Sequence, residues 1–144
     1  MINKFNSILF VCGLNGLRSP MAEGLVKSNF KKKVYVDSVG AEVGILDPMA
    51  VEVMAEINID ISEHRPKSLS GLLDTSFDII VILSDRAENL VYEMMKLESI
   101  EILNWPVGDP SDVEGNREQR LNAYREVRDC LRNKIEELFS TNSV

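Results

Sequence analysis

The feature that most constrains this chain is residues 8–24, ILFVCGLNGLRSPMAEG, where two structural signals follow one another closely. The apolar run from Ile8 to Val11 is typical of a strand that is buried on both faces of a parallel sheet. Ser19 and Pro20 then indicate a helix start, with Ser19 as the N-cap and Pro20 in the first helical position. Cys12 is therefore predicted to lie between the end of a strand and the beginning of a helix.

A strand-to-helix turn of this composition is suited to binding an anion. Loop amides and the positive end of the helix dipole converge there, and the two glycines of the turn let the backbone curl inward. Asn15 tolerates a left-handed conformation, and the planar guanidinium of Arg18 can hold two oxygens of a phosphate-like group. A thiol at Cys12 is expected to ionise easily, and Ser19 could donate its hydroxyl proton to that sulfur instead of capping the helix. The pattern predicts an oxyanion cradle with a nucleophilic cysteine at its floor.

Apolar strand-like segments alternate with helix-length segments along the rest of the chain. Strands are predicted at 8–11, 34–39, 77–83 and 100–103. Helices are predicted at 20–30, with Glu23 in the first turn, from Pro48 after the N-cap Asp47, at 86–97 and at 117–139. Parallel strands need crossover connections of this length. The sequence therefore predicts one α/β domain over residues 1–144, with a four-stranded parallel sheet and helices on both faces.

Composition excludes several classes of partner. The net charge of −7 and the pI near 4.8 argue against nucleic acid and against an anionic membrane surface. No apolar run approaches the roughly 18 residues of a membrane helix, and the first residues do not form a secretory signal. Cys12 and Cys130 are the two cysteines and are expected to be free thiols. We therefore expect a cytoplasmic protein.

A second part of the site is expected on the loops that follow the third and fourth strands. Ligands of open parallel sheets bind at the carboxyl ends of the strands, where these loops place Ser84, Asp85 and Asp109. Asp109 is the candidate general acid, because a leaving oxygen needs a proton and a carboxyl held at a low-dielectric rim can stay protonated. Pro110 would stiffen its backbone. An ordinary Asp-Pro turn explains the same dipeptide, and the local sequence leaves both interpretations open.

Several other conspicuous residues have ordinary structural explanations. His64, the single histidine, is expected to be a surface residue or a locally hydrogen-bonded one, with a contribution to substrate attraction as the alternative. Cys130 is expected to pack as a small hydrophobe. Tyr124 and Trp105 are expected to pack in the core rather than to contact substrate. The lysines at 31–33 are expected to form a solvated helix end.

The chain resembles the low-molecular-weight protein tyrosine phosphatase family, including its arsenate reductase branch. The match consists of Cys12, five intervening residues and Arg18, followed by SPMAE. It continues at 37–40, 48–69 and 105–110, so that it covers nearly the whole chain. The resemblance implies a flavodoxin-like fold.

The resemblance also implies an activity. This is hydrolysis of a phosphomonoester, of the phosphotyrosine type, through a cysteinyl-phosphate on Cys12, with Asp109 as general acid and then base. The substrate would be a phosphorylated protein or a small phosphomonoester, and neither a metal nor a cofactor is implied. The phosphate-binding residues that the resemblance implies are Gly13, Leu14, Asn15, Gly16, Leu17, Arg18 and Ser19.

Arsenate reduction is the alternative activity. The thioredoxin-coupled arsenate reductases resemble the chain at 39–61 and 109–128 more closely than eukaryotic phosphatases do. They relay a disulfide through two further cysteines after the third strand, where this chain has VILSDRAENL, with Ser84 and Asn89 and no thiol. Reduction here would therefore need an external thiol donor. A catalytically weak phosphate-binding module is a further possibility.

The phosphatase interpretation has departures of its own. Phosphotyrosine-specific members commonly carry two aromatic residues after the Asp-Pro, where this chain has Ser111 and Asp112. The stretch 41–46, AEVGIL, supplies no aromatic wall, and Leu17 stands where many members have a second loop cysteine. We therefore predict a weak or unusual preference for phosphotyrosine.

Overall fold

The computed structural model describes residues 5–30, 34–72, 76–95 and 100–141. Within these ranges the strands are β1 (Ser7–Cys12), β2 (Tyr35–Gly40), β3 (Ile79–Ile82) and β4 (Glu101–Asn104). The helices are α1 (Arg18–Phe30), α2 (Pro48–Ala55), α3 (Asp85–Met95) and α4 (Arg117–Thr141). Short 3₁₀ turns occur at Leu69–Gly71 and Pro110–Asp112. The elements form a single α/β domain, as predicted.

The four strands form one parallel sheet in the order β2-β1-β3-β4. The chain moves outward from β1 to β2 and then returns to the other side of β1 as β3. This reversal places a crevice at the carboxyl end of β1, which is the position where open parallel sheets bind ligands. Cys12 is the last residue of β1 and pairs with Gly40 at the end of β2.

The apolar run in β1 is explained by burial on both faces of the sheet. Ile8, Phe10 and Cys12 pack into a core with residues of α1, α2 and α4, whereas Leu9 and Val11 pack on the opposite face with residues of α3. The side chains of β3 also alternate, with Ile79 and Val81 in the first core and Ile80 and Ile82 on the opposite face. The predicted α/β class with helices on both faces is therefore confirmed.

The first helix begins earlier than the sequence pattern indicated. Arg18 is its first residue, and the Leu17 carbonyl accepts the first helical hydrogen bond, from the Met21 amide, at 3.1 Å. The prediction of Ser19 as N-cap is therefore wrong. Pro20 consequently lies third in the helix, a position that tolerates proline because first-turn amides have no helical acceptor. Glu23 lies outside the first turn, so that prediction is also wrong.

Other element boundaries differ from the predictions by a few residues. β3 is shorter than the predicted 77–83, and β4 lies one residue later than 100–103. α3 begins at Asp85 and is described to Met95, while α4 continues past 139 to Thr141. The lysines at 31–33 lie outside the described residues. Among the described helices, none has the length and apolar character needed to cross a bilayer.

Several further structural expectations are confirmed. Asp47 caps α2 by accepting the Met49 amide, with a proline in the first turn. Cys130 is a free thiol packed against the core, and Cys12 is also free. Tyr124 is buried, and Trp105 packs against Phe10 with their ring centroids 6.1 Å apart.

Candidate active site

The turn after β1 is built by hydrogen bonds to a neighbouring segment. We call residues 12–18 the cradle loop and residues 41–47 the strap. Backbone amides of the strap donate to four carbonyls of the cradle loop at 2.8 to 2.9 Å, namely those of Cys12, Gly13, Leu14 and Gly16. A peptide N–H points opposite to the carbonyl of the same peptide unit. The amides that follow these carbonyls are therefore turned away from the strap, as an anion-binding nest requires.

Close packing at Gly16 holds the strap against the cradle loop. A Cβ added at Gly16 would lie 2.2 Å from the Ile45 carbonyl oxygen, a distance that real Cβ atoms do not show. Glycine is therefore required here by the approach of another backbone, as the glycine-rich composition of the turn suggested.

The sulfur of Cys12 is surrounded by hydrogen-bond donors. The Asn15 amide donates to Sγ at 3.3 Å, and the Ser19 hydroxyl lies 2.9 Å from it. Ser19 Oγ accepts a hydrogen bond from the Asn15 side-chain amide at 2.8 Å, and its own proton can be donated to the sulfur or to the Val39 carbonyl, which lies 3.4 Å away. This arrangement suits a thiolate, and it confirms the alternative placement of Ser19 beside the sulfur.

Asn15 has the left-handed backbone expected for it, with φ of 56°. Its buried side chain is fixed by four partners. Oδ1 accepts the Lys67 amide at 2.9 Å and contacts His64 Nε2 at 2.9 Å. Nδ2 donates to Ser19 and to Ser38 Oγ, the latter at 3.0 Å. Because the Lys67 amide can only donate, the orientation of the Asn15 amide group is determined.

A second layer of polar residues supports Asn15. Ser38 Oγ donates to Glu23 Oε1 at 2.5 Å, and Lys27 Nζ donates to Glu23 Oε2 at 2.5 Å. The hydrogen bond that Lys27 donates to Glu23 raises the pKa of Lys27. The acidic residue expected to interact with the helix dipole is instead buried beneath the cradle loop.

His64 is also part of this layer, and its predicted placement was wrong. Its side chain is only 10% exposed, and its hydrogen bond reaches Asn15 across 49 positions of sequence. Burial and the charge of Lys67 lower the pKa of His64, outweighing the opposite effect of Glu23. The ring is therefore neutral at pH 7, and the acceptor Asn15 Oδ1 places its proton on Nε2.

Arg18 is held at the carboxyl ends of two strands. Nη1 donates to the carbonyls of Leu83 and Val107, at 3.0 and 2.9 Å, in the loops that follow β3 and β4. The side chain is 12% exposed, and Nη2 lies 3.8 Å from Asp109 Oδ2. The guanidinium is thus fixed in position by backbone groups.

Asp109 lies on the rim of the site, and its ionisation differs from the prediction. Partial burial raises its pKa, but hydrogen bonds from the Ser111 amide and hydroxyl and the charge of Arg18 outweigh that effect. The amide donates to Oδ1 at 2.9 Å and the hydroxyl at 2.6 Å. The pKa of Asp109 therefore lies below its ordinary value, and the expectation of a protonated carboxyl at rest is wrong.

One small cavity brings the predicted site residues together. Its volume is about 130 Å³, and its lining includes Cys12, Arg18 and Asp109. Five of the seven predicted phosphate-binding residues also line it, while Asn15 and Ser19 lie behind Cys12 as supports. Ser84 and Asp85 line a neighbouring cavity of about 580 Å³ that shares Arg18 and Asp109.

Sequence reasoning missed the supporting layer under the cradle loop. Ser38 and His64 come from β2 and from the loop after α2, and no local pattern connects them with Asn15. The only available signal was the family resemblance. Its matching segments 37–40 and 48–69 include Ser38 and His64, but a matching segment does not show which residues are in contact. Glu23 stood within the recognised motif, but its helical position suggested a different role.

Known proteins resemble this chain in sequence over nearly its whole length. A family model described as "Low molecular weight phosphotyrosine protein phosphatase" matches residues 7–143. The chain is 31% identical over 133 residues to a glutaredoxin arsenate reductase of Synechocystis sp., which covers 92% of this chain and 95% of that protein. It is 29% identical over 135 residues to the probable low molecular weight protein-tyrosine-phosphatase EpsP of Ralstonia nicotianae, with coverage of 90% and 91%.

A solved structure gives the same result for the fold. An arsenate reductase in the phosphate binding state matches with a TM-score of 0.80 and 30% identity, covering 96% of this chain and 99% of that one. Its fold and the relatives above indicate an enzyme that acts on phosphate or arsenate compounds. With a family model that spans nearly the whole sequence and a strand-to-helix turn built around Cys12, the chain belongs to the low molecular weight phosphotyrosine protein phosphatase family.

Proposed function

We propose that this protein hydrolyses phosphomonoesters through a phosphocysteine intermediate on Cys12. The observation that carries the proposal is that Cys12, Arg18 and Asp109 line one small cavity, beside a loop whose carbonyls are bonded to the strap and whose amides are therefore turned away from it. A nucleophile, a fixed cation and a proton donor are the groups that phosphoryl transfer to a sulfur needs. Substrates are expected among phosphorylated proteins and small phosphomonoesters, without a metal or cofactor.

In the first step the Cys12 thiolate attacks phosphorus. The S–P bond forms and the ester P–O bond breaks, and Asp109 gives its proton to the leaving oxygen, so that the product leaves as a neutral alcohol or phenol. The loop amides and Arg18 bind the other phosphate oxygens while charge moves onto the leaving group.

In the second step water attacks the phosphocysteine. The Asp109 carboxylate accepts a proton from this water, the S–P bond breaks, and inorganic phosphate leaves with the thiolate restored. The hydrogen bonds from Ser19 and from the Asn15 amide stabilise the sulfur as it becomes negative again.

Substrate binding explains how an ionised Asp109 becomes an acid. A phosphate dianion beside a carboxylate raises the pKa of that carboxyl, because like charges disfavour the ionised form. The phosphate also competes with Asp109 for Arg18, whose charge lowers the pKa of the carboxyl in the free protein. The proton therefore becomes available when the substrate is present.

The first test concerns the nucleophile. Cys12→Ser is expected to abolish turnover of an aryl phosphate, whereas Cys130→Ser, the matched control on α4, is expected to retain it. Acid quenching during turnover followed by mass spectrometry should show one phosphoryl group bound to the wild type and none on Cys12→Ser. Undiminished hydrolysis by Cys12→Ser would reject the covalent route.

The second test concerns the acid. We expect Asp109→Asn to slow turnover of phenyl phosphate by about 10²- to 10⁴-fold, the usual contribution of a general acid. The loss should be smaller for 4-nitrophenyl phosphate, because that phenolate leaves without a proton. Equal losses for both substrates would contradict this role for Asp109.

Arsenate reduction is a second candidate function, favoured by the match to arsenate reductases at about one third identity. In this reaction the Cys12 thiolate would displace hydroxide from arsenate. An external thiol would then attack the Cys12 sulfur, which releases arsenite and leaves a mixed disulfide, and a second external thiol would reduce that disulfide. The two external thiols supply the two electrons, because this chain contains no cysteine after β3 other than Cys130.

Parallel assays decide between the two functions. Wild type and Cys12→Ser should be assayed with an aryl phosphate and, separately, with arsenate in the presence of glutathione and glutaredoxin or of thioredoxin. Hydrolysis without arsenate reduction supports the proposed function. Arsenate reduction without hydrolysis would replace it.

A further inference from the structure

A second guanidinium lies at the mouth of the cavity that contains Cys12. Arg86 is in the first turn of α3, and its side chain lines both that cavity and the neighbouring one of about 580 Å³. Its Cδ lies 3.6 Å from the position that a Cβ on Gly13 would occupy, so it packs over the first glycine of the cradle loop. The reaction described above gives this charge no role.

Arg86 forms a weak, solvent-exposed ion pair with Glu42 that another anion can replace. Nη2 lies 3.2 Å from Glu42 Oε1, and the two side chains are 56% and 67% exposed. Ion pairs this exposed are weak, because water screens the charges and two long side chains must be ordered. An incoming anion can therefore replace Glu42 at little cost.

The surrounding charges restrict where such an anion can bind. Asp85, Glu88 and Asp109 also line the wider cavity, so a negative group that binds within it meets three carboxylates. Leu14 and Ile45 form an exposed apolar wall of the Cys12 cavity. Of the described residues, Arg86 and Arg18 are the cations that line both cavities, and Arg18 is held by two backbone carbonyls and faces the phosphate site. Of these two, Arg86 is therefore the cation free to attract a second negative group, in a protein whose net charge of −7 repels anions elsewhere.

We propose that Arg86 is a specificity-determining residue that selects phosphomonoesters with a second negative group beside the phosphate to be hydrolysed. This inference rests on the proposed function and extends it to the part of the substrate outside the cradle. A guanidinium can pair with a carboxylate or a second phosphate through two parallel N–H···O bonds. The negative group can come from an acidic residue next to a phosphorylated residue in a peptide, or from a small phosphomonoester with a further acidic group.

The test compares a charged and a neutral form of the same substrate within each protein variant. The small-molecule arm uses 3-carboxyphenyl phosphate and 3-carbamoylphenyl phosphate. The peptide arm uses two phosphotyrosine peptides with Glu or Gln directly after the phosphotyrosine. In wild type we expect kcat/KM to favour the charged form about two- to fivefold in at least one arm, the range of an exposed ion pair. The arm that shows the preference identifies the source.

Substitutions of Arg86 should remove the preference. Arg86→Ala is expected to bring the ratio to about one, and Arg86→Glu to bring it below one, because repulsion replaces attraction. Glu42→Gln releases Arg86 from its partner and should increase the ratio. Arg132→Ala removes the same charge from α4, where it lines neither cavity, and should keep the wild-type ratio.

A wild-type ratio of about one in both arms overturns the inference, as does an equal loss of the preference in Arg132→Ala. Binding of the same substrates to Cys12→Ser, measured by calorimetry, gives the charged-to-neutral comparison without turnover. A wild type that hydrolyses neither substrate would therefore contradict the proposed function, while the binding ratio still tests Arg86.

Discussion

At the scale of single residues, the chemistry of the site depends on which neighbours each ionisable group meets. Asp109 was expected to be protonated because of its place at a rim, yet two hydrogen bonds from Ser111 favour its carboxylate form. His64 shows the reverse relation, since burial keeps its ring neutral and makes it a donor to Asn15. Burial therefore decides the state of His64, whereas hydrogen bonds and the charge of Arg18 outweigh burial at Asp109.

A residue-scale prediction follows for Ser111. Ser111→Ala removes the hydroxyl hydrogen bond to Asp109 and leaves the amide in place. The pKa of Asp109 should rise towards its ordinary value, because one of the bonds that favour its carboxylate is lost. The alkaline limb of the kcat profile should then move to higher pH with a poor leaving group, measured by steady-state assays across the acidic and neutral range.

Ser111→Thr keeps the hydroxyl and serves as the control, with a profile like that of the wild type. An alkaline limb that stays in place in Ser111→Ala would mean that another group supplies the proton.

At the scale of elements, the strap and the cradle loop act as one unit. Four hydrogen bonds join them, and the last comes from the Asp47 amide at the N-cap of α2. Asp47 in turn accepts the Tyr124 hydroxyl of α4 at 2.6 Å. Burial and this hydrogen bond raise the pKa of Tyr124, so the hydroxyl remains a donor across the neutral range. The cradle loop is therefore connected to two helices through the strap.

An element-scale prediction uses the close contact at Gly16. In Gly16→Ala the new methyl group meets the Ile45 carbonyl, so the strap must move away and its hydrogen bonds to the loop weaken. We expect a loss of about 1–3 kcal/mol in the free energy of unfolding, the usual cost of overpacking, measured by urea denaturation. Turnover should fall as well, because the loop amides are no longer held inward.

Gly71→Ala is the matched control. Its new Cβ would meet only Ser68 Oγ, at an ordinary 3.5 Å, so stability should change by less than about 0.5 kcal/mol and turnover should persist. An equal loss in the two variants would show that the contact with the strap is not the cause.

At the scale of the whole molecule, α2 and α4 are joined by an ion-pair network around Glu56. Arg125 donates to both carboxylate oxygens of Glu56 at 2.7 to 3.0 Å. Arg128, whose side chain is 10% exposed, donates to Glu56 at 2.8 Å and to the Val53 carbonyl at 2.7 Å. These contacts hold the C-terminal end of α2 against α4. They therefore stabilise the core on the side of the sheet opposite to α3.

A whole-molecule prediction concerns stability in acid. Hydrogen bonds from Arg125 and Arg128 lower the pKa of Glu56 from 4.5 to about 2. Because the folded carboxyl binds its proton less readily than the unfolded one, the network stabilises the fold above about pH 4.5 and loses this effect as the pH falls towards about 2. Glu56→Gln should therefore lower Tm at neutral pH and lose less Tm than the wild type on acidification.

Thermal unfolding followed by circular dichroism measures this difference. Glu126, an exposed carboxylate on α4 beside Arg125, provides the control, and Glu126→Gln should retain the acid sensitivity of the wild type. If Tm falls by the same amount in wild type and in Glu56→Gln between about pH 4.5 and pH 2, the network has no role in acid stability.

The sequence by itself determined the fold class and the centre of the site. The alternation of apolar strand segments with helix-length segments predicted a parallel sheet. This could be recognised locally, because the apolar residues of each segment show which of its faces must be buried. Cys12, the glycines and Arg18 could be found because their spacing lies within one strand-to-helix turn. Asp109 required the family resemblance, since an Asp-Pro turn has no distinctive local pattern.

Only the tertiary structure decided which distant residues support that turn. Ser38 and His64 reach Asn15 from 23 and 49 positions away, and the Leu83 and Val107 carbonyls fix Arg18 from 65 and 89 positions away. Such contacts depend on strand order and on the path of the strap, which no local periodicity encodes. Ser19 illustrates the difference, because its sequence position favoured a helix cap, whereas in the folded protein it lies within α1 with its hydroxyl 2.9 Å from the Cys12 sulfur.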